Sequence, residues 1–233
     1  MKYMGSKNRH AKYLLPIILK NRTPNQVYVE PFCGGCNMID KVGGERIAND
    51  VHFYLIEFFK AVQQNWLPPK QISEELYKDI QHNQKKYNPA LVGYVGFNLS
   101  YAGKWFGGYA RDKAKKRNYG LEAYKNIINQ KPNLLDIKFY NLPYWDLQIP
   151  ANSLIYCDPP YENTTKYKSS FNYIDFWNWC RQLTATGHTV FISEYNAPDD
   201  FECLWQREVN NTLVQNTGQK KGIEKLFKLK HHH

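Results

Sequence analysis

Carboxylate, carbonyl and aromatic groups concentrate in one tetrapeptide, Asp158-Pro159-Pro160-Tyr161, which follows the apolar run Ser153-Leu154-Ile155-Tyr156-Cys157. The run reads as a buried strand. Ligands of open parallel sheets bind beyond the carboxyl ends of strands, which is where the tetrapeptide falls. Two consecutive prolines stiffen the backbone and remove two N–H donors, leaving carbonyls pointing outward. A carboxylate and a main-chain carbonyl then stand beside an aromatic face. That set suits a planar amino group: two acceptors take its two hydrogens and the ring stacks on it. A plain proline turn closing a strand is the simpler alternative, and the strand before it argues for the chemical reading.

A second segment, Tyr28-Val29-Glu30-Pro31-Phe32-Cys33-Gly34-Gly35-Cys36-Asn37-Met38, runs from a strand into a tight glycine turn of the kind that lets a ligand approach the backbone. The next strand ends in Asn49-Asp50. An acid there is the usual partner of ribose hydroxyls in nucleoside-binding sheets, although an isolated Asp at that place would more often cap a helix. Cys33 and Cys36 form a C-x-x-C, but no second Cys or His pair lies at ligand spacing, so no metal is expected. Five cysteines without a secretory signal point to free thiols in a reducing compartment.

These segments need elements to hold them. Short apolar runs alternate with helical patterns, which predicts an α/β fold with a largely parallel, helix-covered sheet. Strands are expected at 27–30, 46–48, 137–141, 153–157, 189–193, 202–209 and 226–229, and helices at 7–20 and 54–65. Pro16 predicts a kink or an early end of the first helix. The alternation breaks over 67–135, a stretch rich in Lys, Asn, Tyr and Gly with helical fragments at 73–84 and 120–128. Insertions of this length usually house specificity.

The chain has 233 residues, enough for one domain carrying a subdomain. No apolar run nears eighteen residues and the N-terminus lacks an apolar stretch, so neither a membrane span nor a signal peptide is expected. A net charge of +10 favours a polyanionic partner. Between Ser100 and Lys131 eight cations face two acids, interleaved with Tyr101, Trp105, Phe106, Tyr109 and Tyr119; a second cluster holds Lys220, Lys221, Lys225, Lys228 and Lys230 against Glu224. Cations that hold phosphates beside rings that stack on bases point to nucleic acid in the first cluster, and the second reads as part of the same DNA-gripping surface, with solvated surface lysines as its plain alternative. His231, His232 and His233 read as a tag remnant.

The order of these segments, beginning with Lys2-Tyr3-Met4-Gly5-Ser6-Lys7 and closing with the D-P-P-Y tetrapeptide, resembles the Dam-type (D12 class) DNA adenine-N6 methyltransferases over nearly the whole chain. The resemblance implies a Rossmann-like, S-adenosylmethionine-dependent methyltransferase sheet at 1–66 and 136–230, with an inserted, mainly helical target-recognition subdomain at 67–135. It implies that Tyr3 and Lys7 contact the cofactor, Lys7 at its methionine end. Glu30, Pro31, Phe32 and Gly34 would shape the pocket, Asp50 would hold the ribose, and Tyr144 would lie against the adenine. Cys36 stands where the family's turn commonly has another glycine, and Pro143 where an acid commonly precedes the aromatic. Asp158, Pro159, Pro160 and Tyr161 would be catalytic, with Asp158 also beside the cofactor. Asn98, Tyr101, Lys104, Arg111 and Lys113 are the expected contacts to double-stranded DNA, without membrane or obligate protein partner, in the cytoplasm of a bacterial or phage-infected cell. A cytosine-N4, RNA-adenine or protein-glutamine amine, or a DNA-binding protein with a decayed methylase site, are the alternatives.

Overall fold

The computed structural model describes residues 1–112, 114, 116–161, 171–209 and 222–230. Strands that are apolar on both faces require helices on both sides of the sheet. β1 (Tyr28–Glu30), β2 (Arg46–Asn49) and β4 (Leu154–Cys157) are buried along their whole length, whereas β3 (Ile137–Tyr140) alternates buried and exposed residues. With β5 (Thr189–Glu194), β6 (Phe201–Val209) and β7 (Gly222–Leu229) they form a seven-stranded sheet in the order β3-β2-β1-β4-β5-β7-β6. The first five run parallel, and β7 enters antiparallel between β5 and β6.

Period-two alternation sorts the side chains between two apolar layers. Tyr28, Ala48, Leu154, Tyr156 and Phe191 pack with α1 (Ala11–Ile18) and α2 (Phe53–Gln63). Val29, Ile47, Ile155, Cys157 and Ile192 pack on the opposite face with α6 (Tyr173–Ala185). β1 continues to β2 on one side while β4 lies on its other side, so the strand order reverses between β1 and β4 and leaves a crevice beyond their carboxyl ends.

All seven expected strands are present, with ends that differ by up to four residues. The first helix divides: a 3-10 turn at Lys7–Arg9 precedes α1, which ends two residues after Pro16. α3 (Glu74–His82) and α5 (Tyr119–Gln130) match the helical fragments. Two helices were not expected, α6 and α4 (Pro89–Asn98). α4 is apolar almost all round, so it has no polar face to give a periodic signal. It lies so close to α2 that a Cβ at Gly93 would run into the Tyr54 carbonyl. Ile72, Tyr77, Ile80, Val92, Tyr94 and Ile127 therefore share one core with α1 and α2.

Candidate active site

The glycine turn beyond β1 is pinned from three sides. Gly34 has φ +45°, and a Cβ there would stand 2.7 Å from the Tyr3 ring, which lies across the turn. Asp50 accepts the Gly34 N–H at 3.1 Å on one carboxylate oxygen and the His52 N–H at 2.9 Å on the other. Burial pushes the Asp50 carboxyl up, and these two donors oppose it. Asn49 donates to the Pro31 and Leu142 carbonyls and accepts the Leu142 N–H, tying the loops after β1, β2 and β3 into one rim. Asp50 carries a carboxylate that the sequence makes visible; Asn49's own role is not legible there, because its partners are backbone groups 18 and 93 positions away.

Cys36 adopts φ +54°, a left-handed conformation that costs side chains other than glycine about 1–2 kcal/mol. That is a physical reason for a glycine in this turn. Cys33 and Cys36 are both buried free thiols. Glu30 is buried at the end of β1, accepts the Tyr28 hydroxyl at 3.0 Å, and is pushed by burial well above the carboxylate range. Phe32 packs 5.2 Å from Tyr144, and both rings meet Phe171 and Phe176. Tyr3, Pro31, Phe32, Gly34, Asp50 and Tyr144 thus lie along the rim beyond β1 to β3.

Across the crevice, Asp158 stands just beyond β4. Lys7 reaches it from the 3-10 turn, with Nζ 2.9 Å from Asp158 Oδ1 and 3.3 Å from Glu224 Oε1. The ammonium also sits 4.4 Å from the centroid of the Tyr161 ring, and the Tyr161 hydroxyl donates to Glu224. Asp158 is the most open of the three charged groups, its side chain 21% exposed against 7% for Lys7 and for Glu224. Burial raises the Asp158 carboxyl to about 6; Lys7 opposes that rise and Glu224 adds to it. Burial would lower Lys7, but the two carboxylates outweigh it and hold the ammonium above its ordinary value. Tyr173 donates to the Pro160 carbonyl at 2.7 Å, and Tyr195 meets the Tyr161 ring edge-on at 4.6 Å. Glu224 and Tyr173 were not expected here. Glu224's one sequence signal is that it is the single acid in a basic C-terminal segment.

The expected DNA contacts divide. Tyr101 is 67% exposed, Lys104 is half-buried, and exposed Arg111 pairs with Glu74 at 2.7 Å. Lys113 lies outside the described residues, as do Lys115, Lys220 and Lys221. Asn98 is a correction: it is fully buried at the end of α4, with no hydrogen-bond partner for either amide atom among the described residues, so it presents nothing to a duplex here. The interleaved rings are corrected likewise. Trp105 packs against Tyr54, His52 and Phe97; Phe106 packs against Tyr77; and the Tyr109 hydroxyl bonds the Ile72 carbonyl. They pack against the core that Ile72, Ile80, Val92 and Val95 supply in the inserted stretch. Tyr119 is covered by the Lys2 and Arg117 cations.

The strand order, the single antiparallel strand and the crevice between β1 and β4 define a doubly wound, Rossmann-like α/β sheet. Residues 3–97 match the family model of the D12 class N6 adenine-specific DNA methyltransferases, which bears out the resemblance over Tyr3, Lys7, the glycine turn and Asp50. Among solved structures, SMU.472 complexed with SAH aligns with 97% of this chain at 12% identity and a TM-score of 0.38. The tRNA (m1A58) methyltransferase TrmI from Aquifex aeolicus aligns with all of it at 12% identity and a TM-score of 0.39. The chain spans about half the length of SMU.472 (53%) and 72% of TrmI.

Proposed function

We propose that this protein transfers a methyl group from S-adenosylmethionine to the N6 amine of an adenine flipped out of double-stranded DNA. The observation that carries the reading is a largely buried but still accessible carboxylate, Asp158, held at the topological switch point opposite the glycine turn, with an aromatic ring beside it. The matched family supports adenine and DNA as the substrate.

The rim residues fit the cofactor. Gly34 leaves room for close approach, Asp50 stands beyond β2 where a ribose would lie, and Phe32 and Tyr144 supply an apolar wall for a purine. S-adenosylmethionine supplies an electrophilic methyl group when bound. An exocyclic adenine amine is a poor nucleophile because its lone pair is delocalised into the ring. Asp158 and the Pro159 carbonyl accept its two hydrogens, draw the nitrogen toward tetrahedral geometry and free that lone pair. Tyr161 stacks on the extruded base with the face that Lys7 does not cover. Flipping costs a few kcal/mol, which duplex contacts offset. Residues 67–135 serve as the target-recognition part, with Tyr101, Lys104 and Arg111 toward the DNA.

The test is to incubate the protein with duplex DNA and S-adenosylmethionine, digest to nucleosides and identify the product by mass spectrometry. N6-methyladenine is expected, and Asp158→Ala should remove it while cofactor and DNA binding persist. An active Asp158→Ala protein would sink the mechanism. N4-methylcytosine would reassign the base, and binding of both ligands without any methylated nucleoside would indicate a decayed site.

A further inference from the structure

Lys7 and Asp158 would balance each other's charge as a simple pair, yet a second carboxylate shares the ammonium. Glu224 comes from β7, and the antiparallel direction of that strand is what makes this possible. Glu194, at the carboxyl end of β5, pairs with Lys225, so the first residues of β7 lie at the edge of the sheet where the parallel strands end. The Glu224 side chain there receives Lys7 at 3.3 Å and the Tyr161 hydroxyl through one oxygen, and it is buried. The three charges sum to −1, so Asp158 is not neutralised by its own partner.

Resting on the methyl-transfer reading, we propose that Glu224 is a positioning residue for that reaction: it shares the charge of Lys7 so that Asp158 stays a strong acceptor for the amine, and it anchors the Tyr161 hydroxyl so that the ring keeps its stacking position. Lys7 is thereby a bridge between two carboxylates, and Tyr161 is held at both ring and hydroxyl. Other titratable groups face Asp158 as well: Tyr156 and Cys157 on β4, Glu30 on β1, Tyr161 beside it, and, through Lys7 and Glu224, His10 at the start of α1 and Tyr195 after β5. Unlike these groups, Glu224 both binds the cation that Asp158 binds and accepts the hydroxyl of the stacking ring.

Glu224→Gln separates charge from shape. Its amide oxygen still accepts from Tyr161, but the like charge beside Asp158 is gone. Expected are a fall in kcat on the order of tenfold to a hundredfold, little change in cofactor affinity by calorimetry, and an acid limb of the pH–rate profile about one pH unit lower. Glu224→Asp should recover part of the loss. An unchanged kcat with an unmoved limb would overturn the proposal. The second readout needs no activity: carboxyl-13C aspartate NMR, with Asp158 assigned by its absence in Asp158→Asn. In Glu224→Gln its titration should move to lower pH; an unmoved titration in a folded variant overturns the proposal. If the wild type methylates no nucleoside, the methyl-transfer reading falls, while the NMR titration still reports whether Glu224 acts on Asp158.

Discussion

Asp158 is held where its charge is costly. Its carboxyl lies at about 6 against an ordinary 3.8, so between those values the native chain binds the proton that the unfolded chain has released. The group therefore favours the folded state at low pH, and that contribution is lost as pH rises through about 4 to 6, on the order of 3 kcal/mol in all. The proposed methyl transfer needs the carboxylate and should run the other way, rising through about pH 6. Asp158→Asn should thus abolish methyl transfer yet melt at a higher temperature than wild type at pH 7.5, since Glu224 keeps Lys7 paired. Calorimetric melts of both proteins at pH 5 and 7.5 check the sign: the gain should shrink at pH 5. This much of the site was legible in the sequence, because Asp158-Pro159-Pro160-Tyr161 carries its chemistry in consecutive residues. Glu224 was not, since its partner Lys7 is more than two hundred positions away and only the pairing of β5 with β7 brings them together.

At the scale of elements, the strands were readable because runs such as Leu154 to Cys157 are apolar on both faces and bounded by turn residues. α4 was not readable for the opposite reason: a helix buried on all sides has no polar stripe to set its period. Its glycines show what packing demanded. Gly93→Ala would push a methyl group into the backbone at Tyr54, which cannot retreat without moving α2, and should cost about 1–3 kcal/mol despite alanine's better helix propensity. Urea melts would measure it as a lowered midpoint, and an unchanged midpoint would mean that α2 can yield to the added methyl group. The same packing explains the fate of the aromatic residues in 100–119. Trp105→Ala should destabilise by about 3–5 kcal/mol, since its ring lies among Gly96, Tyr54 and His52. Tyr101→Ala, at an exposed ring, should leave the melting temperature unchanged and weaken DNA binding, as titration of a fluorescent duplex would show.

For the whole molecule, a net charge of +10 favours a polyanionic partner without locating a surface for it. If about five phosphates are contacted, log affinity should fall with log salt concentration at a slope of roughly −4 to −5, and a flat response would remove DNA from the reading. Several basic residues are already engaged: Arg111 with Glu74, Arg117 with Glu122, and Lys7 inside the site. Amino-acid order by itself determined the fold class, the succession of strands and the residues at their carboxyl ends, because these follow from local patterns of two to ten residues. Tertiary structure alone decided which side chains meet. Reversal of strand order set the β1 and β4 loops face to face, the antiparallel course of β7 brought Glu224 to Lys7, and helix packing buried Asn98 and set Trp105 against Tyr54, His52 and Phe97. Those outcomes depend on contacts between distant segments, which burial of apolar surface selects and no local pattern records.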